Sequence, residues 1–351
     1  MEHNKLERNK LKMDKELASV FRLFFDTLPC SYEIKDTCRS DSDFREAIIA
    51  QWPSGEKYVF KLSDNDFTFP EKIWTWKRCA EEYRKLGYYC PMILPSKQGD
   101  FPIVQYKGHN CTVYVEEFCK YNIAKDRFDP NADETTVFDP KCADAAWVMT
   151  AKVAAKRFDF SPYPSGYCLF ETFCPSDETD EVMENALEWK NYADTLPEKF
   201  RLQIQRIWNR WKNNRNALEQ IYSLLPGSVF QADLNPTNLL VDENGAFVGV
   251  FDFNLCGRDV FLNYLFREIH FQYDDQYLLE TLQKIAQVYC FSSLEIQAAP
   301  LLYRCIKPLW FTEIEKLKEA GIEETFIQAC LDQTEELQTK EIPFVMYMDG
   351  K

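Results

Sequence analysis

Three oxygen-bearing side chains carry the chemistry this sequence offers. Asp233, Asn238 and Asp252 lie in the stretch Val229-Phe230-Gln231-Ala232-Asp233-Leu234-Asn235-Pro236-Thr237-Asn238-Leu239-Leu240-Val241, which runs through Asn244-Gly245 to Val250-Phe251-Asp252-Phe253-Asn254. Asn-Gly between two apolar runs signals a tight hairpin, because a type I′ turn needs φ > 0 at both central residues. A turn centred there sets Asn238 opposite Phe251 and Thr237 opposite Asp252, so Asn238 and Asp252 become diagonal neighbours at the open end. Asp233 sits on the loop that feeds that end. An Asp and an Asn leaving room for water and phosphate oxygens suit Mg²⁺. A separate carboxylate, Asp233, suits taking a proton from an alcohol that attacks a phosphoryl group. Aspartate and asparagine are also common at turns and strand ends. The weight therefore rests on the conjunction of apolar strand, Asp-Pro-Asn loop, Asn-Gly turn and returning Asp-Phe.

A metal-held nucleotide also needs a cation on its phosphates. Lys61, in Tyr58-Val59-Phe60-Lys61-Leu62, is the candidate. On a strand it shares a face with Val59, opposite Tyr58, Phe60 and Leu62; the plain alternative is a lysine snorkelling to the surface.

The elements that must position these groups fall into two kinds. Residues 31–118 read as strands: Ser31–Thr37, Arg45–Trp52, a turn at Pro53–Glu56, Lys57–Leu62, then a second hairpin, Pro102–Gln105 and Thr112–Phe118, about Lys107–Asn110. Between the hairpins, Glu71–Leu86 places Trp76, Ala80 and Tyr83 on one helical face. After Phe118 the pattern turns helical. A polar loop or insertion at Asp126–Pro140 precedes helices expected at Ala143–Arg157, Leu196–Leu225 (broken once), Asp259–Gln272, Tyr277–Tyr289, Ser293–Leu317 and Glu323–Gln338. The fold class is α+β, with a 16–118 nucleotide-binding lobe of antiparallel sheet plus one helix. A mainly helical lobe, 119–345, carries the 229–254 catalytic loop and hairpin and the acceptor site.

Composition excludes several classes of protein. The 351 residues are 46% hydrophobic with 27 Phe, 18 Tyr and 8 Trp, a globular composition. A net charge of −15 disfavours nucleic acid as a partner. The 11 glycines form neither a G-x-G-x-x-G nor a Walker loop. The 13 cysteines include no C-x-x-C pair, which favours reduced, mostly buried thiols. No signal peptide and no membrane span is expected, and the expected location is cytoplasmic. His3, His109 and His270 are too dispersed for a triad or metal cluster. Glu178, Asp180 and Glu181 read as a solvated helix start, and Arg258 is expected to pair with Asp259.

The segment Gln231-Ala232-Asp233, Asn238 and Asp252-Phe253 resembles the catalytic and metal-binding motifs of the aminoglycoside phosphotransferase/choline kinase superfamily. The resemblance spans roughly residues 16–340 and is sharp in 229–258. It implies a bilobal protein-kinase-like fold and an ATP- and Mg²⁺-dependent transfer of the γ-phosphate to a hydroxyl of a small molecule, with GTP as an alternative nucleotide. By the same resemblance Asp233 is the catalytic Asp, and Asn238 and Asp252 hold Mg²⁺. Lys61 meets the phosphates and pairs with a helix Glu, for which Glu82 fits the apolar face better than Glu81, and Glu71 is the other candidate. Ser40-Asp41-Ser42-Asp43 would be the nucleotide-covering loop, with Ser40 and Ser42 contacting phosphate, or it is an ordinary turn. Glu117-Phe118-Cys119 would be the hinge that meets adenine. Two departures stand out: Gln231-Ala232 replaces the usual His-Gly, and the covering loop has no glycine and carries two carboxylates. Gln can donate and accept hydrogen bonds in place of a scaffolding His. The acidic chain suits a cationic acceptor such as an aminoglycoside or amino alcohol. The competing expectation is a weakly active or inactive kinase-fold module that binds or scaffolds. A protein kinase is disfavoured by the missing glycine-rich loop and the absence of an H-R-D or D-F-G string.

Overall fold

A computed structural model of the chain describes residues 14–38, 40, 43–124, 140–268, 275–321 and 323–341. They divide into two units, 1–81 with 90–120 and 82–89 with 121–351.

The first unit is built on a six-stranded antiparallel sheet. Strands β1 (Ser31–Asp36), β2 (Phe44–Gln51), β3 (Lys57–Asp64), β4 (Ile93–Leu94), β5 (Ile103–Tyr106) and β6 (His109–Glu117) run in the order β1-β2-β3-β6-β4, with β5 also on β6. Period-2 alternation sends Ile48, Ala50, Phe60, Leu62, Val113 and Val115 to one face. Helix α1 (Lys15–Phe24) lays Leu17, Val20, Phe21 and Phe24 on that face, with the Phe21 and Phe60 rings edge to face at 4.8 Å. One carboxylate enters this core. Glu46 is buried and satisfied by the Tyr106 hydroxyl at 2.8 Å and by Lys107 Nζ, as a buried charge must be. Helix α2 (Pro70–Lys85) begins on a proline, whose missing N–H costs nothing at the first helical position.

In the second unit the strands are short and serve the site. β7 (Asn122–Ile123), β9 (Leu239–Val241) and β10 (Phe247–Val250) form one sheet; β8 (Gly227–Phe230) and β11 (Gly257–Val260) form another. Eight described helices surround them: α3 (Pro140–Ala154), α4 (Glu181–Ala193), α5 (Arg201–Tyr222), α6 (Phe261–Glu268), α7 (Asp275–Ala286), α8 (Ser293–Ile306), α9 (Phe311–Glu319) and α10 (Glu324–Leu337).

Several expected boundaries move for local reasons. The long helix breaks at its start, where Pro197 caps a 3₁₀ turn, Glu198–Phe200, ahead of α5. The expected helix at 293–317 is two helices, separated at the Lys307-Pro308 step: Lys307 keeps helical backbone as the C-cap, and Pro308 has no N–H with which to continue the ladder. The expected helix at 259–272 begins only at Phe261, because residues 257–260 pair with β8. The expected polar loop, from 126 to 139, lies outside the described residues. Among the described residues, no helix is long and apolar enough to cross a membrane, and the cysteines are free thiols, most of them buried.

Candidate active site

The β9–β10 hairpin sets the geometry. Val250 faces Leu239 and Gly249 faces Leu240, and beyond them the Phe251 N–H donates to the Asn238 carbonyl at 3.1 Å. The open end thus keeps the expected register and brings Asn238 beside the Phe251-Asp252 step. The turn itself differs from the expected type I′. Only Gly245 takes a positive φ, +83°; Gly245 N–H bonds the Asp242 carbonyl, and the Asp242 carboxylate accepts from the Asn244 and Ala246 N–H groups. Asp242 therefore makes a longer turn, absorbed by a shift of register between Phe247 and Gly249. Gly249 is required where it stands, because a Cβ there would lie 1.8 Å from the Tyr89 carbonyl oxygen. That approach lets Tyr89 exchange backbone hydrogen bonds with Val248 and Val250.

Asp233, Asn238 and Asp252 are each held by identified partners. Asn238 is 6% exposed, and its Nδ2 donates to both the Asp233 carbonyl, at 3.0 Å, and Asp233 Oδ2, at 2.9 Å. Spending both amide hydrogens there turns Oδ1 away from Asp233 as an acceptor, the orientation a metal ligand requires. Asp233 Oδ1 accepts from Asn235 Nδ2 at 2.9 Å and from the Tyr167 hydroxyl at 3.3 Å. Asp252 adopts a left-handed backbone, φ +58° and ψ +71°, a strained conformation for a non-glycine residue that recurs at functional sites.

Gln231 stands where the resemblance expects a His. It is fully buried, and its Nε2 donates to the Phe251 and Asp252 carbonyls while its Oε1 accepts the Asp233 N–H at 3.4 Å. Its own N–H bonds the Tyr83 hydroxyl at 3.0 Å. One amide ties the Asp233 loop to the backbone that carries Asp252. Among the described residues, no three His, Cys, Asp or Glu side chains converge as a metal-binding group. One Asp and one Asn, completed by phosphate and water, are a donor set suited to a hard cation brought in with a nucleotide.

Two expectations change on the Asp233 side. Arg258 does not pair with Asp259; its Nη2 reaches Glu171 at 2.6 and 2.8 Å. Asp259 is buried and accepts from Ser165 Oγ at 2.7 Å, the Tyr222 hydroxyl and Asn263, since strand pairing of β11 with β8 turns it inward. Nor is Asp180 part of a solvated helix start, while Glu181 stays about one-third exposed. Asp180 caps α4, accepting from Met183 N–H, and binds the buried Arg215 guanidinium through two nitrogens. Arg215 occupies the buried stripe of α5 between Trp211 and Leu218. Glu178 stays exposed. The 166–184 segment and the start of α4 enclose a pocket of about 210 Å³, lined by Tyr167, Glu171, Asp177, Asp180, Glu181 and Glu184. Burial pushes the Glu181 carboxyl up to about 7 against the opposing pull of Arg267. Tyr167, which lines the pocket, also reaches Asp233.

The expected nucleotide-side residues of the first unit have their own surroundings. Lys61, 20% exposed, lies 3.2 Å from Glu116 and over the Tyr114 ring. Glu116 is the diagonal cross-strand neighbour on β6, a partner visible only once the register is known. On the expected covering loop, Ser40 bridges to Asp43 and Ser42 lies outside the described residues. The Asp43 carboxylate is turned onto Arg45, at 2.7 Å, and Asn65 Nδ2, at 2.9 Å, which neutralises one of the two carboxylates in that loop. Glu117 donates its backbone N–H to the Met92 carbonyl and pairs with Lys120 at 3.1 Å. Phe118 is partly exposed beside Lys57, and Cys119 is half-buried. In the second unit, Glu82 pairs with Lys85 at 2.8 Å.

Comparison with known proteins bears on the same segment. The phosphotransferase enzyme family matches residues 173–263. No protein of curated function matches the sequence. Among solved structures, an aminoglycoside phosphotransferase from Alicyclobacillus acidocaldarius is similar with TM-score 0.52 and 12% identity, over 95% of either chain. The amicoumacin kinase hAmiN, solved with AMP-PNP and Ca²⁺, has TM-score 0.52 and 12% identity over 94% of either chain. A microcompartment-associated aminopropanol kinase has TM-score 0.52 and 13% identity over 96% of this chain and 98% of that one. The fold is that of the protein-kinase-like phosphotransferases, α+β with an antiparallel N-terminal sheet and a helical remainder. The family resemblance read from the sequence thus agrees with the family match over residues 173–263 and with the fold.

Proposed function

We propose that this phosphotransferase moves the γ-phosphate of ATP to a hydroxyl of a small, cationic acceptor. The observation that carries the reading is the joint fixation of Asp233 and Asn238 at the open end of a hairpin whose returning strand delivers Asp252. Asp233 would accept the acceptor's hydroxyl proton as its oxygen forms the bond to the γ-phosphorus and the bond to ADP breaks. Asn238 Oδ1 and the Asp252 carboxylate would hold Mg²⁺, which when bound offsets charge on the phosphates. Lys61 is assigned to the same phosphates, with Glu116 keeping its ammonium oriented. Glu117-Phe118-Cys119 is assigned to adenine and Ser40 to phosphate, as in the family. The acidic pocket supports a cationic acceptor: of its carboxylates, Asp180 and Glu171 are paired to arginines, while Glu184 is held up by burial and by its neighbours Asp177 and Asp180. An ammonium group would supply the missing positive charge.

Thermal unfolding tests the first step. A ligand at 100 times its Kd stabilises a protein by about 2.7 kcal/mol. Wild type should gain Tm only with ATP and Mg²⁺ together, and Asp252→Asn should gain none. ADP release across a panel of amino alcohols and aminoglycosides then identifies the acceptor. A wild type that no nucleotide stabilises would defeat the proposal.

A further inference from the structure

Asp233 is held in part by its own loop. Asn235 and Asn238, which bond its two carboxylate oxygens, lie within five residues of it and would move with that loop. Tyr167 belongs to a different element, and its hydroxyl reaches Asp233 Oδ1 across a sequence gap of 66 residues. The Tyr167 backbone is fixed in turn, its carbonyl accepting from Asn263 Nδ2 at 2.7 Å and its N–H bonding Ser165 Oγ.

Arg267 is the second part of the arrangement. Its guanidinium carbon lies 3.3 Å from the centre of the Tyr167 ring, a face-on stack that only a planar cation can make. Its side chain is 6% exposed, and Nη2 donates to Glu268 at 2.9 Å and to the Ala232 carbonyl at 3.5 Å. Ala232 immediately precedes Asp233, so one guanidinium touches both the ring of Tyr167 and the backbone of the Asp233 loop. Nε faces Glu181 at 3.8 Å, and the Lys307 ammonium bonds the Arg267 carbonyl. Burying a cation among such groups costs desolvation that an apolar side chain of similar size would avoid. Stability is therefore a poor account of it, and geometry a better one.

We propose that Tyr167 and Arg267 are positioning residues that together fix the distance and rotamer of the Asp233 carboxylate, Arg267 holding the Tyr167 ring against the loop and the Tyr167 hydroxyl holding Oδ1. The inference rests on the kinase reading of Asp233. Burial drives the Tyr167 phenol well above its ordinary range, so its hydroxyl keeps its proton and always donates. In the transition state the accepting carboxylate must meet the substrate proton at hydrogen-bond distance, and misplacing it lowers the rate of the chemical step without weakening ligand binding.

The test is Tyr167→Phe, which removes the hydroxyl and keeps the stacked ring. It is assayed by ADP release with MgATP and whichever amino alcohol or aminoglycoside wild type uses fastest. The expected result is kcat down about tenfold, the loss of roughly one hydrogen bond, with the KM values for MgATP and acceptor and the Tm unchanged. Equal rates in the two proteins would overturn the inference alone. So would a raised acceptor KM at unchanged kcat, which would make Tyr167 an acceptor contact of the pocket. Should Tyr167→Phe fail to fold, Arg267→Lys keeps the charge and loses the planar stack; a loss of kcat at unchanged KM for MgATP supports the inference and an unchanged kcat overturns it. A wild type without turnover of any acceptor overturns the kinase reading and this inference with it.

Discussion

The hairpin that carries Asn238 and Asp252 and the pocket next to Asp233 are organised on opposite principles. Backbone ladder bonds, a register shift and one buried amide, Gln231, fix the hairpin. Its turn is closed by the Asp242 carboxylate, which accepts from the Asn244 and Ala246 N–H groups. The pocket is held by side-chain charges reaching across long stretches of sequence: Asp180 to Arg215, Glu171 to Arg258, Glu181 towards Arg267. Of these pairs, Asp180 with Arg215 is buried and Glu171 with Arg258 is partly exposed. Tyr167 belongs to both regions, lining the pocket and bonding Asp233.

The comparison can be broken most severely at Asp233. Asp233→Asn should cost about three orders of magnitude in kcat, within the range for loss of a general base, and leave the MgATP-dependent rise in Tm in place. A variant that keeps wild-type turnover would remove the division of roles between hairpin and pocket. Next in size is Arg215→Met, which strands the buried Asp180 without its cation. Breaking such a pair costs about 3–5 kcal/mol, and the cost should appear as a lowered denaturant midpoint with the nucleotide-induced stabilisation unaltered. Loss of nucleotide response at intact stability would show that the pocket also shapes the hairpin.

The smallest effect concerns pH. Glu181 titrates at about 7 in the folded protein, raised from 4.5 chiefly by burial. The folded state then holds a proton that the unfolded state releases between pH 4.5 and 7. Stability from this group is full below pH 4.5 and falls as pH rises through 7. Lys307, also buried, is lowered to about 7 from 10.5, so its share is full above 10.5 and falls as pH drops through 7. Together the two groups predict a shallow minimum of Tm near neutral pH. Glu181→Gln should flatten the acidic side alone; a profile identical to wild type would show that the carboxyl is solvated, as its one-third exposure allows. The same variant should raise the acceptor KM if Glu181 faces the cation.

Much of the second unit's strand geometry was readable because the partners are close in sequence. Asn238 meets Phe251 through a turn of a few residues, and hydrophobic alternation with a Gly after Asn is enough to pair the strands. Even there, the turn type escaped: Asp242 accepts two N–H groups and takes the place of the positive φ that Asn244 would have needed. The Lys61–Glu116 pair was one step further off, because it required knowing that β6 lies beside β3. Arg215, Arg258 and Arg267 were beyond reach. Arg215 and Arg267 sit on helices and meet carboxylates from distant segments, and Arg258 meets Glu171 on a loop that the Pro164–Arg258 bridge brings alongside; an arginine in an apolar stripe looks on sequence like an interruption.

The local frame follows from the order of the residues alone: a strand-rich first part, a helical second part, and a hairpin presenting an Asn and an Asp beyond an aspartate loop. Periodicity, turn residues and short-range register decide those features over a few residues. Only the tertiary structure decided the neighbours: which arginine neutralises which carboxylate, that Gln231 ties the loop to the returning strand, and that Tyr167 meets Asp233. Those contacts depend on where packed helices bring distant residues, and the balance between desolvation and pairing that makes them acceptable exists only once the groups are buried together.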